Sequence, residues 1–186
     1  PRGKKWTVLD EVVLDKYVAR TALLAPRPGA LKIVYTAMHG VGTETLQRVF
    51  HKAGFASPIL VDAQAAPDPD FPTVAFPNPE EPGAIDLALE TARSFDAHLV
   101  IANDPDADRC AAAIKDPVTG WRMLRGDELG AIFAESIARK IDSGIFANSI
   151  VSSSIVKKIA GHYNLQFKET LTGFKWLAKI ENLTFG

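Results

Sequence analysis

Cysteine is nearly missing from the chain: Cys110 is alone among 186 residues. One thiol cannot close an internal disulfide, so a disulfide-stapled scaffold is excluded and a reducing compartment is compatible. No apolar run approaches the roughly 18 residues that a membrane span needs. No charged-then-apolar leader resembles a signal peptide. An excess of one charge is also missing, since 21 Lys+Arg against 22 Asp+Glu leave a formal charge of −1. No global field draws nucleic acid or anionic lipid, and Arg2, Lys4-Lys5 and Lys157-Lys158 are too sparse for a nucleic-acid face. What is there is ordinary for a globular chain: 47% hydrophobic, 23% charged and 9% aromatic residues. The expectation is a soluble, cytoplasmic protein with neither a nucleic-acid nor a membrane partner. The chain opens with Pro1-Arg2 rather than Met and stops at Phe185-Gly186 just after a helical pattern. A piece of a longer polypeptide is therefore expected.

Helical spacing and short apolar runs alternate along the chain. Val13, Leu14, Tyr17, Val18 and Leu24 share one side of a helix predicted over 11–24. Pro26-Arg27-Pro28-Gly29 ends it, because proline lacks the amide donor and restricts its predecessor. Residues 31–38 predict a buried strand. His39-Gly40-Val41-Gly42 is a tight turn, and Thr43 is expected to cap a helix carrying Leu46, Val49, Phe50 and Ala53, with Gly54 as its stop. The turn is not the dinucleotide fingerprint, since Thr45 stands where the third glycine belongs. After a strand over 58–62 comes a loop over 63–83 that holds six of the 12 prolines. Loops of that length are uncommon and tend to be functional or mobile.

Ile85, Leu87, Leu89 and Ala92 predict a helix to about residue 95, feeding a strand over 98–102 that stops at Asn103. Strands over 110–114 and 121–124 pair around Asp116-Pro117-Val118-Thr119-Gly120. Asp127 is expected to cap a helix to about residue 141, with Leu129, Ile132, Phe133 and Ile137 inward. A strand over 148–152, a helix over 155–162, a strand over 165–169 and a helix over 173–180 complete the pattern. Ser152-Ser153-Ser154 reads as a turn capping the helix that follows it. The alternation predicts an α/β fold: a mixed, mostly parallel sheet flanked by helices, then an incomplete second α/β unit with two strands. The division expected is a leader and linking helix over 1–29, a metal-binding α/β domain over 30–125 and a partial α/β domain over 126–186.

The strongest chemical signal is Asn103-Asp104-Pro105-Asp106-Ala107-Asp108-Arg109. Three carboxylates at alternate positions stand where an apolar strand runs out, the end at which ligands collect in open α/β sheets. Their mutual repulsion calls for a compensating cation, and Mg²⁺ fits the all-oxygen donor set. Arg109 follows at once with a planar fork suited to phosphate. A solvated acidic turn is the bland alternative. A calcium EF-hand loop fails, because its required glycine and glutamate are here Arg109 and Lys115. An aspartyl-phosphate phosphatase stays open, with Asp104 as nucleophile and Asp106 as general acid. So does a noncatalytic module that binds metal or sugar phosphate.

Asp104-Pro105-Asp106-Ala107-Asp108-Arg109 resembles the metal-binding loop of the α-D-phosphohexomutases, the phosphoglucomutase and phosphomannomutase family. Other segments agree in order. Thr36-Ala37-Met38-His39-Gly40-Val41-Gly42 resembles the first strand-to-helix turn of the family's second domain, and Phe76-Pro77-Asn78-Pro79-Glu80-Glu81 its proline-rich loop. Gly126-Asp127-Glu128 resembles the entry to the third domain, and Thr172-Gly173-Phe174-Lys175-Trp176 its substrate-facing loop. The resemblance implies an enzyme that interconverts hexose 1-phosphate and hexose 6-phosphate through a phosphoserine. Hexose 1,6-bisphosphate would be the intermediate and activator. It further implies Mg²⁺ on Asp104, Asp106 and Asp108, Arg109 on phosphate, and Thr172, Gly173 and Lys175 facing the sugar phosphate. No segment resembles the Thr-Ala-Ser-His-Asn-Pro phosphoserine loop, so the first and fourth domains of the same polypeptide would be partners of this chain. The chain by itself is then expected to be inactive.

Ala107 stands where the family often has glycine, so the loop must use an ordinary backbone region or tolerate strain. His39 is read as shaping its turn rather than as a base. His51, His98 and His162 are read as structural or solvated, and Cys110 as a small packed residue.

Overall fold

A computed structural model describes residues 7–25 and 28–186. Arg2, Lys4, Lys5, Trp6 and the Pro26-Arg27 part of the helix stop lie outside the described residues. The chain divides into two compact units, Pro1–Met123 and Leu124–Gly186. Among the described residues no helix is long and apolar enough to cross a membrane.

In the first unit, α1 (Glu11–Ala22) starts at Asp10, whose carboxylate accepts the Val12 N–H at 3.1 Å. Arg48 of α2 (Gly42–Ala53) fastens α1 by donating to Glu11 at 2.9 Å and to Asp15 at 2.8 Å. Of the helix face predicted inward, only Val18 is buried; Val13 and Tyr17 stay half exposed. Thr43 does not cap α2. Gly42 already joins the helix, so Val41 is the N-cap and the Thr43 hydroxyl donates to the Ala65 carbonyl at 2.7 Å instead. Gly54 ends α2 in the left-handed region, as predicted, at φ 79°.

Five strands form the sheet: β1 (Ile33–Thr36), β2 (Ile59–Leu60), β3 (Leu99–Asn103), β4 (Cys110–Asp116) and β5 (Gly120–Met123). Their order is β2-β1-β3-β4-β5, with β2, β1 and β3 parallel and the last pairings antiparallel. This is the mixed, mostly parallel sheet flanked by helices that the alternation predicts. Val34, Val100, Ala102 and Ala113 share a core with Ala88 and Ala92 of α3 (Asp86–Ser94). Those two alanines let the helix backbone lie close to the sheet. Of the proline-rich stretch, Asp62–Gln64 forms a single 3₁₀ turn.

The second unit orders α4 (Gly126–Ala138), β6 (Ile145–Ser149), α5 (Ile155–His162), β7 (Gln166–Thr170), α6 (Phe174–Leu177) and β8 (Leu183–Phe185). Its sheet has three parallel strands, β7-β6-β8, rather than two. Three residues are too few to show alternation, so β8 left no readable pattern. Asp127 does not cap α4. Arg125 is the N-cap, and its N–H donates to Glu128 Oε2 at 2.8 Å. Ile132 and Phe133 face outward, because Ala134, Ile137, Ala138 and Ile141 form the stripe that meets the core. Ser154 precedes α5 without a side-chain capping bond. The core centres on Phe146, fully buried, with the Phe185 ring 5.3 Å away between centroids.

Candidate metal centre

Strand order reverses between β1 and β3, and in open α/β sheets that reversal leaves a crevice at the carboxyl ends. Two loops meet there, residues 37–41 after β1 and 104–109 after β3. The Val41 N–H donates to the Pro105 carbonyl at 2.9 Å. A Cβ on Gly40 would stand 2.2 Å from the Pro105 Cα and carbonyl oxygen, so only glycine permits this approach. Met38 and His39 adopt positive φ, 49° and 63°. Each costs about 1–2 kcal/mol for a residue with a Cβ, and such strain persists where surrounding structure holds it, often at functional sites.

The acidic loop brings its three aspartates together. One carboxylate oxygen from each of Asp104, Asp106 and Asp108 lies within 4.8 Å of the others. Asp104 is buried, whereas Asp106 and Asp108 are exposed. Arg109 holds both oxygens of Asp104, its backbone N–H donating to Oδ1 at 3.0 Å and its Nε to Oδ2 at 2.7 Å. Burial alone would raise the Asp104 pKa, but those bonds and the guanidinium charge outweigh it and hold the carboxyl below its ordinary range. Asp108 moves the other way, raised by partial desolvation and then by the negative charges of Asp106 and Asp104. Ala107 stands at φ 58°, so the loop takes the strained alternative and not an ordinary backbone region.

This donor set fits a hard divalent cation. It is all oxygen, and three carboxylates face one guanidinium. Neighbouring oxygens around octahedral Mg²⁺ stand about 3 Å apart and opposite ones about 4.2 Å, so three carboxylates gathered within 4.8 Å need to draw together by at most about 2 Å to share one ion. Among the described residues, this is the one group of three acidic, histidine or cysteine side chains gathered at such spacing.

Behind the loop, Asn103 Nδ2 donates to the Arg109 carbonyl at 2.6 Å, and the Tyr35 hydroxyl donates to Asn103 Oδ1 at 2.9 Å. Burial pushes the Tyr35 pKa up to about 12, with negative charge on an ionised Cys110 adding to it, so the phenol keeps its proton. Sequence reasoning assigned no role to Tyr35 or Asn103. A tyrosine inside an apolar strand was the available signal, since a buried phenol must find a partner.

His39 is buried, and its Nε2 lies 2.7 Å from Thr73 Oγ1. Thr73 also accepts from Gln64 Nε2 at 2.8 Å, and Thr36 donates to Gln64 Oε1 at 2.6 Å. These bonds tie the proline-rich loop to the end of β1. His39 is part of this network through its bond to Thr73. His98 Nδ1 accepts the Lys32 N–H at 2.9 Å, a structural role. Cys110 is exposed at the start of β4 and not packed, because the burial of that strand begins at Ala111.

Thr172, Gly173 and Lys175 lie in an exposed segment of the second unit at the start of α6. Gly173 takes φ 117° and ψ 145°, near a region that glycine almost alone adopts. Lys175 Nζ stands 5.9 Å and Lys179 Nζ 4.3 Å from the Trp176 ring centroid.

Residues 15–120 match the family model described as phosphoglucomutase/phosphomannomutase, alpha/beta/alpha domain II, and residues 125–184 match domain III. A probable phosphomannomutase of Haemophilus influenzae is 46% identical over the whole chain, which covers 39% of that protein. A phosphoribomutase of Saccharomyces cerevisiae is 42% identical over 77% of the chain, and that stretch is 26% of the yeast protein. The chain thus spans well under half the length of these relatives. Among solved structures, a phosphoglucomutase/phosphomannomutase family protein of Burkholderia thailandensis shares the fold with TM-score 0.74 at 23% identity. That match covers 89% of this chain and 34% of the other.

Proposed function

Since the chain belongs to the phosphoglucomutase/phosphomannomutase family, we propose that it supplies the metal loop and part of the sugar-phosphate site of a phosphosugar mutase. The reaction proposed is the interconversion of hexose 1-phosphate and hexose 6-phosphate. It would run through a phosphoserine on polypeptide outside this chain, with hexose 1,6-bisphosphate as intermediate. Asp104, Asp106 and Asp108 would hold Mg²⁺. Bound there, the cation would offset charge on a transferring phosphoryl group.

The chain's own residues supply the rest. Arg109 keeps Asp104 ionised through two hydrogen bonds and sets a permanent positive charge beside the trio, where it suits a phosphate oxygen. Lys175 offers a point charge, and Thr172 a hydroxyl, to the sugar phosphate. Gly173 gives that segment a backbone conformation that other residues rarely adopt. The hexose assignment is supported by the Haemophilus relative, named a probable phosphomannomutase, which matches the whole chain. A pentose phosphate is the second reading, supported by the relative named a phosphoribomutase.

A phosphatase with Asp104 as nucleophile is disfavoured. Relatives that match this chain are named as mutases, a probable phosphomannomutase and a phosphoribomutase. The observation that carries the mutase reading is the convergence of three carboxylates within 4.8 Å at the crevice of the sheet. Calorimetric titration of the chain with Mg²⁺ tests it. Asp106→Asn is expected to weaken binding by at least about tenfold with an unchanged circular dichroism spectrum. Equal affinity in the two proteins refutes the ligand assignment.

A further inference from the structure

Arg109 is pinned on both sides of its Cα. Its N–H is held by Asp104 at 3.0 Å and its carbonyl by Asn103 at 2.6 Å. The carbonyl can only accept, so it fixes the Asn103 amide with Nδ2 toward Arg109 and Oδ1 toward Tyr35. Tyr35 must then donate, and its hydroxyl stands 2.9 Å from Oδ1. Both side chains belong to the two strands that flank the crevice, Tyr35 to β1 and Asn103 to β3. Gly42 makes the arrangement possible, since a Cβ there would lie 2.5 Å from the Tyr35 hydroxyl oxygen.

We propose that Tyr35 is a positioning residue for the metal centre, fixing the Arg109 backbone through Asn103 and so holding Asp104 in place to bind the ion. The inference rests on the metal reading given above. It extends that reading to a buried side chain whose hydroxyl bonds Asn103 and not an aspartate. Phenylalanine at this position keeps the ring and removes the donor. Asn103 Oδ1 is then left without that partner, and its amide is free to rotate away from the Arg109 carbonyl. Arg109 thereby loses one of its two anchors.

The test is titration of the 186-residue chain with Mg²⁺ alone, followed by amide NMR of residues 103–110. Four proteins are compared: parent, Asp106→Asn, Tyr35→Phe and Gln64→Met. Gln64→Met removes buried hydrogen bonds to Thr36 and Thr73 in the same unit and serves as the control for general destabilisation. Tyr35→Phe is expected to weaken Mg²⁺ binding about tenfold and to move the Asn103 side-chain amide signals, while Gln64→Met keeps the parent affinity. Should Tyr35→Phe fail to fold, Asn103→Ala carries the same expectation. Parent affinity in Tyr35→Phe, with Asp106→Asn weakened, overturns the positioning role and leaves the metal reading intact. Equal weakening in Gln64→Met also overturns it, since the effect would then be loss of stability. A parent chain that takes up no Mg²⁺ overturns both.

Discussion

Replacing Gly40 by alanine would drive a methyl group into backbone, not into a side chain that can turn aside. The added carbon would stand 2.2 Å from both the Cα and the carbonyl oxygen of Pro105, more than an ångström inside the 3.4 Å at which ordinary contact begins. A shift of that size breaks the 2.9 Å bond from the Val41 N–H to the Pro105 carbonyl, worth about 1 kcal/mol. Overpacking adds about 1–3 kcal/mol, for an expected loss of about 2–4 kcal/mol. With a urea slope of about 2 kcal/mol/M, the midpoint should fall by about 1–2 M. Urea unfolding followed through amide signals of β1 and β3 reads this loss in the first unit. Gly130→Ala is the contrasting variant. Gly130 lies inside α4 with nothing within 4 Å of an added Cβ, and alanine there should stabilise the second unit by about 0.5–1 kcal/mol, read through amide signals of β6 and β7. A Gly40→Ala midpoint equal to the parent's would refute the close approach of the two loops.

Ala107→Gly should relieve the positive φ of 58° and gain about 1 kcal/mol in the same urea assay. Asp104, with its pKa depressed by Arg109 against the effect of burial, contributes stability in full above the ordinary value of 3.8 and loses it as pH falls through the lower folded value. Asp104→Asn should therefore flatten the acid limb of stability against pH, measured by thermal unfolding below about pH 4. Asp108 has the opposite sign. Its pKa is raised, so stability falls as pH rises from the ordinary value of 3.8, and the loss is complete above the raised folded value. Asp108→Asn should make the metal-free chain more stable at neutral pH while weakening Mg²⁺ uptake, as calorimetry on the same sample would show.

Period and punctuation in the sequence were enough for the α/β class, the parallel strands and the antiparallel hairpin at the sheet edge. Apolar runs and glycine stops depend on local backbone chemistry, and they survive without knowledge of the fold. The acidic loop was legible for the same reason, because alternate aspartates after an apolar strand carry their repulsion wherever they are placed. Other features depended on contacts between residues far apart in the chain. Local pattern put Ile132 and Phe133 in the core, but packing turned Ala134 and Ala138 there instead. Thr43 had the chemistry of a cap, yet Gly42 entered the helix first and left its hydroxyl to Ala65.

The support behind the aspartates was the least visible part. Tyr35 is separated from Asn103 by 68 residues, and Gly40 from Pro105 by 65. The sequence determined which groups could bind a cation, since carboxylates and a guanidinium carry that capacity in their own charge. Only the tertiary structure decided that three carboxylates converge and that a phenol and two glycines brace the loop. That bracing is a property of the sheet, which sets β1 beside β3 whatever the chain length between them.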